Sequence, residues 1–184
     1  MPVKFTRLWC MPSHETFLML PVKKLLEMYV GDGKDWIDCF AGSNSPAEHK
    51  NDLNPSAPTK YHLEAMEFIN TLPRDDYAGI LFDPPYSLRQ VKECYDNIGK
   101  SLSFDATQDA SFGKVKDIAA NKIQSGGYAI CCGWNTNGFG KNRGFKLIEV
   151  LLVPSGGHHN DTIVTVERKI NHNLTTWSES DVPA

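Results

Sequence analysis

The apolar run Tyr77–Phe82 is followed directly by the tetrapeptide Asp83-Pro84-Pro85-Tyr86. A continuous apolar run of this length is typical of a strand that is buried on both faces. Proline cannot donate a hydrogen bond to a sheet and fixes its own φ, so strand pairing must stop there at a stiff corner. The sequence therefore predicts a buried strand that ends in a carboxylate, two prolines and an aromatic ring.

The chemistry of this corner has two interpretations. Asp83 and the carbonyl of Pro84 offer hydrogen-bond acceptors, and Tyr86 offers a flat ring beside them. An acceptor pair next to a stacking ring suits a planar base that carries an exocyclic amino group. The alternative is a proline-rich turn that only ends the strand, with Asp83 as a capping residue. The tetrapeptide alone gives both interpretations similar weight.

The rest of the chain alternates short strands with short helices. The predicted strands of the first part are Trp36–Phe40, Lys50–Asn54, Thr59–Leu63, Tyr77–Phe82 and Tyr128–Cys132. The predicted helices are the part of Glu15–Tyr29 after Pro21, then Glu64–Leu72, Leu88–Ile98 and Phe112–Gln124. Phe145–Val153 and Thr162–Val166 follow as two strands of a C-terminal antiparallel hairpin. This alternation predicts an α/β fold with a mostly parallel sheet and helices on both faces.

Chemically suggestive residues are predicted at one edge of that sheet. In such folds ligands bind outside the carboxyl ends of the strands, where the strand order reverses. Gly42 follows the first strand, Asp52 lies in the second, Glu64 follows the third and Asp83 follows the fourth. Four independent placements at one edge favour a binding site. The alternatives are that Glu64 simply begins its helix favourably and that Asp52 binds local turn amides.

Composition narrows the class of protein. The 184 residues suffice for one domain with a full core, and a hydrophobic content of 41% is ordinary for a globular protein. No apolar stretch reaches membrane-spanning length and no secretory signal is evident, so we expect a cytoplasmic protein without a membrane partner. Five cysteines without a C-x-x-C pair argue against a disulfide framework, and no metal site is predicted. We expect one domain over residues 1–170 and a polar tail over 171–184.

Charge is distributed unevenly along the chain. The net charge of −3 argues against a generally adhesive nucleic-acid binder. From Phe112 to Leu147, however, the sole acidic residue is Asp117, and the basic residues there are Lys114, Lys116, Lys122, Lys141, Arg143 and Lys146. A local basic surface of this kind suits a site that binds phosphate groups at one edge of the protein. A solvated surface is the alternative for any single lysine.

The motifs occur in a specific order. They are Cys39–Asn44, Asn51–Pro55, Glu64–Phe68 and Phe82–Ser87, followed by Arg89-Gln90 and Glu93-x-Tyr95. This series resembles the amino-directed DNA methyltransferases, above all the small stand-alone adenine methyltransferases common in phages and prophages. The resemblance covers roughly residues 9–168. It implies a class I, Rossmann-like methyltransferase fold, S-adenosylmethionine as cofactor, double-stranded DNA as partner, and direct methyl transfer to N6 of a flipped-out adenine.

The resemblance also implies a role for each motif. The residues implied in catalysis are Asp83, Pro84, Pro85 and Tyr86, with Asp83 and the Pro84 carbonyl accepting from the target amino group and Tyr86 stacking on the base. The residues implied in cofactor binding are Thr16, Phe17, Phe40, Ala41, Gly42, Asp52, Leu53, Glu64 and Ala65. Among them, Asp52 would bind the ribose hydroxyls and Glu64 would lie near the cofactor's adenine. The residues expected to contact nucleic acid are Arg89, Lys114, Lys141 and Arg143.

The chain also departs from the family pattern. Asn44 stands where many relatives have a second glycine, and the crossover Ala41–Lys50 is short for a full helix. No large target-recognition insert is visible. The remaining candidates for target contact are the loops Gly99–Ser111, Gly133–Gly144 and Ser155–Asp161. We therefore expect short or degenerate specificity, or help from a second subunit as a homodimer. Trp134 in the second loop is expected to cover a core edge rather than to flank the pocket.

Other functions remain open from the sequence. A ribosomal-RNA guanine-N2 methyltransferase has a similar Asp/Asn-Pro-Pro-aromatic step, but usually carries a basic N-terminal region that this chain lacks. A non-catalytic nucleic-acid-binding module on a degenerate methyltransferase fold would have no affinity for the cofactor. The intact Asp52 and Asp83 favour an enzyme. A nicotinamide enzyme is disfavoured because no Gly-x-Gly-x-x-Gly follows the first strand.

Overall fold

The computed structural model describes residues 2–13, 15–101, 110–156 and 160–170. Within these ranges the chain forms a seven-stranded sheet with helices packed on both faces. The strands are β1 (Lys4–Arg7), β2 (Trp36–Asp38), β3 (His49–Lys50), β4 (Tyr77–Phe82), β5 (Ile123–Gly133), β6 (Phe145–Val153) and β7 (Thr162–Lys169). The helices are α1 (Leu20–Tyr29), α2 (Ala65–Thr71), α3 (Leu88–Asn97) and α4 (Ala110–Lys122).

The strand order in the sheet is β1-β6-β7-β5-β4-β2-β3. β7 runs antiparallel to β5 and β6, and the other neighbouring strands are parallel. The chain passes from β2 outward to β3 and then returns to the other side of β2 to form β4. The strand order therefore reverses between β2 and β4. This topology confirms the predicted α/β fold, a mostly parallel sheet with a C-terminal antiparallel hairpin.

The core lies on both faces of the sheet. Side chains alternate across a strand, so Ile80 and Phe82 of β4 pack in the cluster with α2 and α4, whereas Leu81 packs in the cluster with α1. All three side chains are at most 1% exposed. A central parallel strand is buried on both faces, which explains why the run Tyr77–Phe82 is continuously apolar instead of alternating.

The predicted second and third strands are much shorter than expected. Lys50–Asn54 was predicted as a strand, but β3 ends at Lys50, and of Thr59–Leu63 there remains a single bridge between Asn51 and Tyr61. Polar side chains replace the missing ladder. The amide of Asn51 donates to the carbonyls of Cys39 and Leu63 and accepts from the Leu63 N–H. Asp52 likewise accepts from the Asn54 N–H, a local bond that competes with strand pairing.

One strand was not predicted, and two other elements begin at residues that differ from the prediction. β1 was not predicted, because its four residues show no apolar pattern; it pairs with β6, where Lys4 Nζ lies 2.8 Å from the buried carboxylate of Glu149. β5 begins at Ile123 rather than Tyr128, since the strand continues through Gly126-Gly127 with a register shift in its pairing with β4. α4 begins at Ala110, inside the loop predicted over Gly99–Ser111.

Parts of the remaining predictions lie outside the described residues. These are the polar tail over residues 171–184, positions 102–109 of the first loop and positions 157–159 of the third. In the described part of the chain, no helix is both long and apolar enough to span a bilayer.

Gly79 in β4 leaves room for the side chain of Trp36 on the neighbouring strand β2. A Cβ atom at Gly79 would lie 2.6 Å from two ring carbons of Trp36, which is 3% exposed. We expect Gly79→Ala to lower the free energy of unfolding by about 1–3 kcal/mol, because the buried indole must move. Urea unfolding measures the loss. Gly113→Ala in α4 is the matched control: it meets no atom within 4 Å and should gain about 0.5–1 kcal/mol. Equal stability of Gly79→Ala and the wild type would contradict this account.

Candidate active site

A cavity of about 930 Å³ lies at the carboxyl edge of the sheet, where the strand order reverses. Phe40 lies just beyond the end of β2 and Asp83 just beyond the end of β4. The pairing of Asp38 with Leu81 places these two strand ends side by side. α3 forms another wall, to which its buried residue Val91 contributes. The cavity is therefore at the edge at which the sequence predicts a binding site.

Most of the predicted site residues line this cavity. Those predicted for catalysis and lining it are Asp83, Pro84, Pro85 and Tyr86. Those predicted for cofactor binding and lining it are Thr16, Phe40, Asp52, Leu53, Glu64 and Ala65. The fold thus brings together five separate segments of the chain around one space.

The other predicted cofactor residues are not among those that line the cavity. Phe17 is buried in the cluster with α1, and Ala41 is buried beside the turn. Gly42 has φ of 51°, in the left-handed region that favours glycine, and its N–H donates to Asp52 Oδ2 at 2.8 Å. Ala41 and Gly42 thus shape the turn after β2, and Gly42 orients Asp52.

Asp83 is a partly buried carboxylate held by two hydroxyl groups. The hydroxyl of Tyr86 donates to Asp83 Oδ1, and the hydroxyl of Thr16 also hydrogen-bonds the Asp83 side chain. Burial raises the pKa of Asp83 above its ordinary value, and the two hydroxyl bonds partly oppose this shift. The corner thus presents an acceptor whose position is fixed by its neighbours.

Tyr86 is itself fixed on several sides. Its backbone N–H donates to Gln90 Oε1 at 2.6 Å, and its ring meets Trp134 edge-on at 5.5 Å between centroids. Burial is the main cause that raises the pKa of Tyr86. Trp134 was expected to cover a core edge, but it is 41% exposed and flanks the corner. Its place directly after a buried strand was the available signal.

Glu64 and Tyr95 make a contact across the cavity that the sequence did not predict. The Tyr95 hydroxyl on α3 lies 2.9 and 2.8 Å from the two carboxylate oxygens of Glu64, which precedes α2. Both residues line the cavity. Burial and the Glu64 carboxylate raise the pKa of Tyr95. Tyr95 belongs to the Glu93-x-Tyr95 motif, but that motif carried no assigned role.

Asp38 is a buried carboxylate close to the site that sequence reasoning missed. It is fully buried at the end of β2, where its carboxylate accepts from the Phe40 N–H at 2.9 Å and from the Ser45 hydroxyl at 2.6 Å. Burial raises the pKa of Asp38 from 3.8 to about 7, and the nearby carboxylates of Asp83 and Asp52 add to the shift. A charged residue inside the apolar run Trp36–Phe40 was the signal that could have revealed it.

Several side chains of the predicted basic surface have structural partners. Arg143 pairs with Asp117 at 2.7 Å and donates to the Phe139 carbonyl. Lys116 donates to the carbonyls of Asn137 and Gly138, and Lys122 pairs with Asp75. These cations stabilise the fold and offer less charge to a ligand than the sequence suggested.

The predicted nucleic-acid residues occupy different surroundings. Lys114 is exposed and lines the cavity. Lys141 is exposed on the 3-10 turn Lys141–Arg143. Arg89 on α3 is paired with Glu93 at 2.7 Å. Lys114 is therefore the predicted cation that lies closest to the site chemistry.

One group of possible metal ligands lies on another part of the described surface. The ligand atoms of Asp35, Glu48 and His49 lie within 4.8 Å of one another. Arg74 pairs with Asp35, and Glu48 accepts from the Asp35 N–H. Both carboxylates thus already have partners, and the expectation of no metal site stays a prediction.

Several solved structures resemble this fold, among them the following two. A 1,6-didemethyltoxoflavin-N1-methyltransferase from Burkholderia thailandensis matches with a TM-score of 0.55 and 11% identity, over 82% of this chain and 77% of that chain. This chain has the class I methyltransferase fold. TrmN from Thermus thermophilus matches with a TM-score of 0.54 and 16% identity, over 83% of this chain and 49% of that chain. No protein-family model matches, and no curated protein matches significantly.

The cavity combines hydrogen-bond acceptors with an aromatic ring. Asp83 offers an acceptor and Tyr86 offers a ring. Asp52 and Glu64 add two further carboxylates, whose oxygens can accept hydrogen bonds. The arrangement can hold a polar, hydroxyl-bearing ligand next to a group whose amino hydrogens need an acceptor.

Proposed function

We propose that this protein is a DNA methyltransferase that transfers a methyl group from S-adenosylmethionine to N6 of adenine. The observation that carries the proposal is the corner Asp83-Pro84-Pro85-Tyr86, which lines the same cavity as Phe40, Asp52 and Glu64. The fold, which is that of class I methyltransferases, is consistent with this activity.

The residues present fit S-adenosylmethionine. The cavity of about 930 Å³ is within the usual range for small-molecule sites. Asp52 is oriented by the Gly42 and Asn54 N–H groups, each at 2.8 Å, so its remaining lone pairs can accept from ribose hydroxyls. Glu64 and Phe40 would border the rest of the ligand. The similar Burkholderia thailandensis methyltransferase was crystallised with S-adenosylhomocysteine.

The proposed chemistry depends on positioning rather than on acid–base power. The amino nitrogen of adenine is a poor nucleophile, because its lone pair is delocalised into the ring. Asp83 would accept a hydrogen bond from that amino group, favour a pyramidal nitrogen and reduce the positive charge that develops there. When bound, S-adenosylmethionine would supply a methyl group already activated by its sulfonium: the N–C bond would form as the S–C bond breaks, S-adenosylhomocysteine would leave as the thioether, and the amino nitrogen would lose one proton to solvent. Tyr86 would contact the base and recover part of the cost of taking it out of the stack.

Double-stranded DNA is the proposed substrate. A target base must leave the duplex to reach Asp83, at a cost of a few kcal/mol. Lys114 is exposed at the cavity and would bind a phosphate, and Arg89, Lys141 and Arg143 are further proposed contacts. Adenine is preferred over cytosine because of the resemblance of the Asp83 motif to those of adenine enzymes.

The decisive experiment combines a binding and a transfer measurement. Titration calorimetry should detect S-adenosylmethionine binding, and labelled cofactor should transfer its methyl group to duplex DNA. Hydrolysis of that DNA should yield N6-methyladenine. Ribosomal RNA serves as the competing substrate in the same assay. Transfer to guanine of ribosomal RNA alone would replace the proposal, and absence of cofactor binding would point to a non-catalytic module.

A small planar heterocycle is a second candidate substrate. Arg143, Lys116 and Lys122 are engaged within the fold, which leaves less positive charge for a DNA backbone. The similar Burkholderia thailandensis enzyme carries a bound 1,6-didemethyltoxoflavin. Methyl transfer to free adenosine or adenine at the rate found with duplex DNA would favour this second candidate.

A further inference from the structure

Trp134 is a large aromatic residue that stays exposed next to the corner. It directly follows β5, which pairs with β4 so that Phe82 lies opposite Cys131. Trp134 is therefore placed close to Asp83, at the same edge of the sheet. Its side chain is 41% exposed, although its ring contacts Tyr86. A ring in this position has a free surface that the core does not use.

The loop that carries Trp134 is held in place despite its glycine content. Glu167 of β7 is 4% exposed and accepts from the N–H groups of Phe139 and Gly140. Lys116 of α4 donates to the carbonyls of Asn137 and Gly138 at 3.1 and 3.0 Å. The buried Glu167 and the half-buried Lys116 thus fix both backbone polarities over residues 137–140, the part of the loop that follows Trp134.

The Trp134 ring lies beyond Tyr86 rather than inside the cavity. Tyr86 lines the cavity and donates its hydroxyl to Asp83, whereas Trp134 meets the Tyr86 ring at an interplanar angle of 65°. A group held at Asp83 would therefore have Tyr86 as its near neighbour. Trp134 would meet the part of the substrate just outside the cavity. An indole ring can stack on any nucleobase, so such a contact does not depend on the nucleotide sequence.

We propose that Trp134 is a substrate-binding residue that stacks on a base flanking the target adenine. The inference rests on the proposed function, and it adds a contact outside the catalytic corner. Such a contact holds the substrate equally in the ground state and in the transition state. Its loss should raise KM and leave kcat nearly unchanged.

The kinetic test compares Trp134→Ala and Trp134→Phe with Trp9→Ala. Trp9 is an exposed tryptophan, at 63%, in the segment after β1 and is the matched control. Trp134→Ala should raise KM for duplex DNA about 10- to 100-fold, with kcat within about threefold. Trp134→Phe keeps a stacking ring and should recover most of the affinity, and Trp9→Ala should behave as the wild type. A wild-type KM, or a loss confined to kcat, would overturn the proposal.

Fluorescence tests the same contact without methyl transfer. Single-stranded oligodeoxyadenylate should quench tryptophan emission of the wild type and of Trp9→Phe, but not of Trp134→Phe. Quenching that survives in Trp134→Phe would overturn the inference. If the wild type transfers no methyl group, the proposed function fails, and the quenching measurement still decides whether Trp134 binds a base.

Discussion

Replacement of Asp83 by alanine is expected to lower methyl transfer about 100- to 1,000-fold and to leave S-adenosylmethionine affinity nearly unchanged. Asp83 would face the amino group in the proposed complex, whereas the cofactor would be held by Asp52 and Glu64, which the substitution leaves unchanged. Loss of the acceptor removes an interaction that strengthens as positive charge develops on nitrogen. The effect should therefore appear in kcat. Transfer kinetics and cofactor calorimetry on the same preparation measure the two quantities.

Two control variants separate the effect of the Asp83 carboxylate from the effects of its neighbours and of a general loss of charge. Asp96→Ala changes an exposed carboxylate on α3 that pairs with Lys92, and it should keep activity within about twofold of the wild type. Tyr86→Phe keeps the ring but removes the hydroxyl that donates to Asp83. It should cost less than Asp83→Ala, because the acceptor remains. If Asp83→Ala methylates DNA at the wild-type rate, the corner is not the catalytic site.

The position of the site could be predicted because it depends on local patterns. The apolar run Tyr77–Phe82 and the two prolines after it define a strand end. Parallel strands in an α/β fold bring their carboxyl ends to one edge, where the sequence predicted Asp52, Glu64 and Asp83, although the strands predicted at Lys50–Asn54 and Thr59–Leu63 are shorter than expected. The structure places all three on the same cavity.

The contacts within the site could not be predicted, because they join distant segments through packing. The bond between Tyr95 and Glu64 depends on the direction of α3. The support of the Trp134 loop by Glu167 depends on the antiparallel placement of β7. The strand expected over Lys50–Asn54 failed because Asx-type bonds of its own polar side chains compete with the ladder. Periodicity shows which residues are apolar, but it does not show which polar group will find a buried partner.

Asp38 illustrates this limit and leads to a pH dependence of stability. Its carboxylate is 0% exposed, and the pKa is about 7 in the folded protein against 3.8 ordinarily. Above pH 4 the unfolded chain loses this proton, whereas the folded chain keeps it up to about pH 7. The folded state thus binds more protons in this window, so the free energy of unfolding falls as pH rises. Above pH 7 both states are ionised, and the contribution of Asp38 becomes constant.

The expected size of this effect is large. A pKa difference of about 3 units corresponds to about 4 kcal/mol over the whole window, of which about 3 kcal/mol falls between pH 5 and 8. Asp38→Asn cannot ionise, so it should gain that amount relative to the wild type over this range, even if lost bonds to Ser45 and Phe40 lower its stability at every pH. Urea unfolding at several pH values measures the difference, in which the other titrating groups cancel. Asp96→Asn, at an exposed position, should show a constant difference from the wild type. A constant difference for Asp38→Asn as well would mean that Asp38 is ionised in the folded protein over this whole pH range. The turn that carries Gly42, next to Asp52, would then contain a buried negative charge.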